Sequence, residues 1–389
     1  MNRSKSQNSD ITDLKKAETV SNQQYSTLKR LDFVDSLRGF AALYVLMYHM
    51  VLVPEYKIKV PAILQPIILN GSTGVTLFFV ISSFTLCYAL NKQKSEKKYI
   101  RKFYIRRIFR ITPLYYVWLL VIPVCMGQLS WIISMWKQML LYLTFGYNFF
   151  PGRQEGFVWA SWTLGVEMVF YFIFPFIFLY TKNLKTSIFF FMGSVLIGFI
   201  HSYIISQLIN SGKLLPQLYS TYFSFFNQLP VFATGIICYY LYMLCNKNTA
   251  FINWGKYLLI VGVVLFLTLP YVPYIKNSVH APLIYPIAMA IVYVVIFVGL
   301  SASANKIVVN KFTVFCGTIS YSLYLNHPQI IYRLSEFYKS VSAKVGNEAI
   351  VLLLCYTITI VLIGLLSFLT YKLIETPGIR LGKRLLNAI

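Results

Sequence analysis

LDFVDSLRGFAALYVLMYH, residues 31–49, is the stretch whose reading decides the fold. It is an apolar run with an arginine, Arg38, at its entrance and a histidine, His49, inside it. Eleven positions separate the two. At 3.6 residues per turn that is nearly a whole number of turns, so a helix projects both side chains from one face. At 1.5 Å rise per residue they stand roughly 16 Å apart along the axis. An ionisable group inside an apolar span is costly and marks a functional site by default.

The rest of the chain has the same character. Of 389 residues 57% are hydrophobic and 12% charged, against about 25% charged in soluble domains. The expected fold class is all-α: a polytopic transmembrane helix bundle of about ten spans plus one re-entrant or interfacial segment. The net charge of +23 comes from 35 basic and 12 acidic residues. Nucleic acid is not the expected partner, because the basic residues sit between apolar spans. Membrane lipids with anionic headgroups, and an anionic cosubstrate, suit them better. The six cysteines, Cys87, Cys125, Cys238, Cys245, Cys316 and Cys355, lie in or at the ends of apolar runs without a CxxC pair. Free thiols packing as small apolar groups are expected, and no metal site, since no HExxH or similar spacing occurs.

Runs of spanning length read at about 33–53, 67–90, 111–127, 161–180, 186–209, 219–245, 257–273, 282–300, 312–331 and 348–371. The run 131–150 carries Lys137, Gln138 and Gly146 and reads as re-entrant or interfacial. With that assignment most Lys and Arg face inward, as the positive-inside rule asks. The chain then divides into a disordered cytoplasmic tail at 1–30, a membrane domain at 31–377 and a cytoplasmic tail at 378–389. The first run starts too late for an ordinary secretory signal and is expected to be retained. No soluble catalytic domain is expected after the last span. The predicted location is the inner (cytoplasmic) membrane, multi-pass, both termini cytoplasmic.

Each candidate residue has a bland reading beside the chemical one. His49 can be a packed histidine bonded to a backbone carbonyl, or a general base working near neutral pH. Glu167, the one acidic residue well inside an apolar run, can be a structural partner for an arginine, or can orient His49 or handle a hydroxyl proton. In NKQKSEKKYIRKFYIRRIFRITP, residues 91–113, Lys92 to Lys102 read as an anchor at the lipid phosphates. Arg106, Arg107 and Arg110 are better suited to a phosphorylated cosubstrate. Arg106 and Arg110 share a helix face, and a guanidinium fork grips phosphate in a bidentate manner. GSTGVTLFFVISSF, residues 71–84, reads as close helix packing through small residues, or as a passage for a slender substrate. In GTISYSLYLNHP, residues 317–328, His327 can belong to an aromatic belt or can bind an acceptor at the outer face.

With these blocks in hand, the chain resembles acyltransferase family 3, bacterial integral-membrane O-acyltransferases, over about 31–377. The blocks DSLRGFAALYVLMYH, GSTGVTLFFVISSF, RRIFRITPLYY, SWTLGVEMVFYFIFP, GTISYSLYLNH and the closing ETP at 375–377 come in the family's order. Departures stand at Thr76, Ser83 and Met168. The resemblance implies an enzyme transferring an acyl group, most often acetyl from acetyl-CoA, to a hydroxyl of an extracytoplasmic glycan or lipid-linked sugar. It implies no permanently bound cofactor. It assigns His49 and Glu167 to catalysis and Arg38, Arg106, Arg107 and Arg110 to the acetyl-CoA site. His327 remains a candidate for the acceptor.

Two other classes fit a polar mid-bundle residue. A secondary transporter would consume no acetyl-CoA and tends to show paired broken helices in two related halves, for which the sequence offers no convincing repeat. A structural component of a polysaccharide-export assembly would tolerate loss of His49 and Glu167.

Overall fold

The order of the helices follows from where the polar punctuation falls. The computed structural model describes residues 31–125, 127, 135–245, 249–272, 281–303 and 305–387. The chain divides into Met1–Asp32 and Phe33–Ile389. The tail expected at 1–30 lies outside the described residues, and the helices belong to the second unit, the first beginning one residue ahead of it. In order they are α1 Asp32–Leu52, α2 Gln65–Leu69, α3 Gly74–Gln93, α4 Tyr99–Cys125, α5 Trp136–Leu143, α6 Trp162–Tyr180, α7 Leu184–Asn210, α8 Phe225–Cys245, α9 Thr249–Thr268, α10 Ala281–Ala302, α11 Lys311–Thr318, α12 Ser320–Arg333, α13 Ser335–Val345, α14 Glu348–Thr370 and α15 Thr376–Asn387. A turn of π-helix, Tyr371–Glu375, joins the last two. Among the described residues there is no strand.

Eight helices in this set are long and apolar enough to cross a membrane, against the ten or so expected. Two of the expected spans account for the difference. Helix α1 is long enough, about 31 Å at 1.5 Å per residue, but Asp35, Arg38 and His49 lower its hydropathy. The run 312–331 is interrupted at Ile319, so it becomes the eight-residue α11 and the fourteen-residue, hydroxyl-rich α12. The described part of 131–150 holds the eight-residue α5 and a short 3₁₀ turn, Gly146–Phe149. That helix measures about 12 Å, well under a bilayer's hydrocarbon thickness.

Two further stretches differ from expectation. The helix carrying the arginines starts well ahead of the span read at 111–127: α4 begins at Tyr99, so Arg106, Arg107 and Arg110 sit on a continuous helix. Residues 378–387, expected as a tail, are helical and lie on α4. Pro113 cannot bond back along α4, which frees the carbonyl of Phe109. Gly378 and Gly382 of α15 approach at that point, their α-carbons bare against Pro113 and Phe109.

Helix α1 packs on two sides. One face packs Ala42, Leu46 and Met50 against Cys316, Ile319, Leu323, Cys355 and Ile363 of the C-terminal helices. A side chain at Gly317 would run into the backbone of Asp35, so α11 meets α1 backbone to backbone. On another face Gly71 and Gly74 press on Tyr44 and Ala41: a Cβ added there would lie 2.6 Å and 2.7 Å from the two carbonyl oxygens. The small residues of GSTG are therefore used for close packing, and they bring α3 within reach of the face carrying Arg38 and His49.

Candidate active site

Two cavities lie end to end beside α1. The first, about 90 Å³, is lined by Arg38 of α1, Ser82 and Thr85 of α3, Arg107 and Arg110 of α4, Glu167 and Tyr171 of α6, and Ser320 and Tyr321 of α12. The second, about 380 Å³, is lined by Tyr48 and His49 of α1 and by Glu155, Trp159, Trp162, Tyr222 and Phe223. Val75 and Tyr324 line both. The two ends of the α1 face thus open into different chambers, with one buried valine and one buried tyrosine between them. The Tyr324 hydroxyl donates to Ala160 O and accepts from Thr163 Oγ1, both at 3.1 Å. Ala160 holds this geometry at φ +64°, in the left-handed region.

The first chamber is a cluster of charge. Arg38 pairs with Asp35 at 3.2 Å and donates to Thr85 Oγ1 at 3.2 Å. It stands in the electrostatic field of Arg107 and Arg110. Arg107 lies over the rings of Tyr171 and Phe103, 5.6 Å and 5.9 Å from their centres, and feels the charge of Glu167. Glu167 accepts a hydrogen bond from Ser82 Oγ at 2.6 Å and another from the Tyr171 hydroxyl. Tyr321 fixes α12 to α4 by donating to Ile111 O at 2.5 Å.

The second chamber is aromatic and holds the histidine. His49 Nδ1 lies 3.1 Å from Val45 O and 2.9 Å from Nε2 of His327. His327 Nδ1 lies 2.6 Å from Tyr324 O. Tyr48 meets the His49 ring edge-on at 5.1 Å. No hydrogen bond reaches His49 Nε2 among the described residues.

The residues singled out in the sequence are therefore sorted in space. Arg38, Arg107, Arg110 and Glu167 come together. Arg106 does not join them: it bonds to Gln93 Oε1 and lies 3.6 Å from Glu96 on the rim. Glu167 does not touch His49, because the carboxylate faces the arginine chamber and the imidazole faces the other. His327, 1% exposed, does not line the second chamber; both its ring nitrogens are engaged inside the protein.

One further acid, marked in the sequence only as the start of the closing ETP block, joins the arginine cluster. Glu375 is 2% exposed, accepts from Ser322 Oγ at 3.0 Å and stands in the electrostatic field of Arg110. It sits on the π turn. The sequence signal was its place at the end of the last apolar run.

The acyltransferase-3 family model, described as "Acyltransferase domain", matches residues 31–369. A protein of Acidianus two-tailed virus named as an acetyltransferase, ORF330, is 30% identical over 76% of this chain and 81% of its own length. A protein of Staphylococcus aureus (strain COL) named as an O-acetyltransferase is 25% identical over 94% of this chain. The match spans 60% of that staphylococcal relative's length. The acyltransferase MdmB of Streptomyces mycarofaciens is 30% identical over 38% of each chain. No solved structure matches.

Proposed function

The chain belongs to acyltransferase family 3, and from that premise we propose a membrane O-acetyltransferase that moves an acetyl group from cytoplasmic acetyl-CoA to a hydroxyl of an extracytoplasmic or surface polysaccharide, or of its lipid-linked sugar precursor. The observation that carries this reading is the pair of chambers meeting at Val75 and Tyr324, arginines on one side and His49 on the other.

Acetyl-CoA is a phosphorylated head on a long thin arm. Arg38, Arg107 and Arg110 supply the positive field that phosphates need. The first chamber, at about 90 Å³, suits the arm and not the head. The head stays at the mouth, where Arg106 on the rim adds a guanidinium. The basic mouth faces the cytoplasm by the positive-inside rule, which puts both ends of the chain on that side in the inner membrane. The thioester advances past Tyr324 toward His49. From the opposite face a sugar enters the aromatic chamber, where Trp159 and Trp162 offer apolar ring faces and Glu155 an acceptor for hydroxyls.

His49 takes the proton of the sugar hydroxyl, whose oxygen attacks the thioester carbonyl. The C–S bond breaks as the new C–O bond forms, and the thiolate leaves with the proton that His49 carried. The acetyl group crosses and the cofactor does not. Glu167, bonded to Ser82 and Tyr171, holds the inner arginines in register at the level the thioester passes.

The test uses membranes that retain their own acceptor. With acetyl-labelled acetyl-CoA supplied on the basic side, label appears on glycan on the other side. His49→Ala abolishes it. A His49→Ala variant that acetylates at the normal rate removes the histidine from the mechanism, and membranes that consume no acetyl-CoA overturn the reading in favour of a carrier.

A further inference from the structure

The two histidines that meet across α1 and α12 have proton positions dictated by their neighbours. A carbonyl oxygen only accepts, so His327 Nδ1, 2.6 Å from Tyr324 O, must carry a hydrogen. In a neutral ring its Nε2 is then bare. That bare nitrogen faces His49 Nδ1 at 2.9 Å. His49 Nδ1 also faces a carbonyl, Val45 O, at 3.1 Å. It must therefore carry the hydrogen, shared between Val45 O and His327 Nε2. No other pair of neutral tautomers satisfies all three contacts.

From this geometry we infer that His327 is a positioning residue: it fixes the tautomer and the plane of His49, so that the bare Nε2 faces the aromatic chamber. The inference rests on the acetyl-transfer reading and deepens it. It replaces the acceptor contact expected of His327 with a role exerted through His49. The logic is that of a residue holding a catalytic imidazole by its Nδ1–H, with a neutral ring standing where a carboxylate is usual. When His49 Nε2 takes the hydroxyl proton, the Nδ1–H bond to His327 strengthens and steadies the cation. His327 takes no proton itself, since its acceptor nitrogen only receives the bond. His327 is anchored for this duty, because its own carbonyl partner, Tyr324, belongs to the same helix turn.

The experiment uses full-length protein in membranes with acetyl-CoA as donor, reading released thiol. The variants are His49→Ala, His327→Gln and His327→Leu. The amide oxygen of Gln accepts from His49 Nδ1–H, so His327→Gln keeps turnover within about threefold. Leu offers no acceptor, so His327→Leu loses about tenfold or more in kcat with the apparent KM for acetyl-CoA unchanged. Nitrogen-15 histidine spectra of the wild-type protein in detergent provide a readout independent of any variant. They are expected to show His49 protonated on Nδ1 and bare on Nε2. A His49 protonated on Nε2, a His327→Leu enzyme with wild-type kcat, or a Gln variant as impaired as the Leu variant overturns the inference. Full activity in His327→Leu beside a dead His49→Ala sinks this inference alone. Full activity in His49→Ala sinks the acetyl-transfer role of the histidine as well.

Discussion

Replacing Gly71 with alanine tests whether the close approach of α3 to α1 sets the position of the histidine. A Cβ at 71 would fall 2.6 Å from Tyr44 O and 2.6 Å from Tyr48 Cβ. Ordinary contact begins at 3.4 Å, so the two elements must part by 3.4 − 2.6 = 0.8 Å. Neither neighbour is the free end of a flexible side chain: one is backbone and the other a Cβ bonded to it. The displaced turn of α1 carries Tyr48 and therefore His49. A shift of about 0.8 Å is large beside the few tenths of an ångström over which the 2.9 Å contact of His49 with His327 keeps hydrogen-bond geometry. Overpacking of this kind costs about 1–3 kcal/mol, and a misplacement near 1 Å at a catalytic group costs about a hundredfold in rate. The matched control is Gly364→Ala on α14, where a Cβ would meet nothing within 4 Å and alanine gains about 0.5–1 kcal/mol of helix propensity. Both variants are purified in detergent and compared for melting temperature and for acetyl-CoA consumption per folded molecule. Gly364→Ala is expected to melt at or above wild type with normal turnover, and Gly71→Ala to melt lower with turnover down by ten- to a hundredfold. A Gly71→Ala protein with wild-type turnover refutes the reasoning, whatever its melting temperature, because α1 would then not be positioned by this contact.

The arginines are expected to separate by location. Arg107→Ala, inside the first chamber, raises the apparent KM for acetyl-CoA about tenfold or more, whereas Arg106→Ala, engaged with Glu96 on the rim, raises it by less than about threefold; a titration of initial rate against acetyl-CoA decides, and equal effects would mean the chamber does not define the donor site. Glu167→Gln removes a negative charge from beside the arginines, so donor affinity holds or tightens while kcat falls by about tenfold, some 1.4 kcal/mol of barrier; weaker donor affinity at normal kcat would make the carboxylate a donor ligand instead. Tyr324→Ala opens the partition and is expected to release thiol from acetyl-CoA without acetylating glycan, while Tyr324→Phe, which keeps the ring and loses only the bonds to Ala160 and Thr163, stays coupled. The ratio of thiol released to acetyl transferred measures this, and a coupled Tyr324→Ala enzyme would show that the ring is no barrier.

Much of this site was readable in the sequence because much of it is helical geometry. Arg38 and His49 share a face of α1 by simple periodicity, and the apolar run around Glu167 announced a carboxylate that needs a partner. The choice among arginines was not readable. Positions 106, 107 and 110 lie within one turn or so of each other, and which of them faces inward depends on the rotation of α4. That rotation is set by α15 pressing on Phe109 and Pro113 from nearly 270 residues away in the chain. The partner of His49 was hidden for the same reason: His327 is distant in sequence, and only the break at Ile319 turns α12 so that its ring meets α1. Glu375 was legible only as the start of the ETP block; the π turn, with its extra residue, changes which side chains face the bundle.

The carboxylates explain how three guanidiniums persist in an apolar bundle. Buried cations are tolerated when paired and hydrogen-bonded. Arg38 has Asp35, Arg107 has Glu167, and Arg110 has Glu375 as the counter-charge in its field. Only the first of these is a direct ion pair, at 3.2 Å. The two carboxylates of the other pairs spend their hydrogen bonds on Ser82, Tyr171 and Ser322 instead. Three carboxylates stand near three guanidiniums, yet two forks are left without a carboxylate seated on them. A cluster tied up in bidentate pairs would have to break them before it could take an anion. One balanced at longer range can accept a phosphate without first losing a contact, and on the proposed reading that is why the carboxylates stand off from Arg107 and Arg110 while closing on hydroxyl groups.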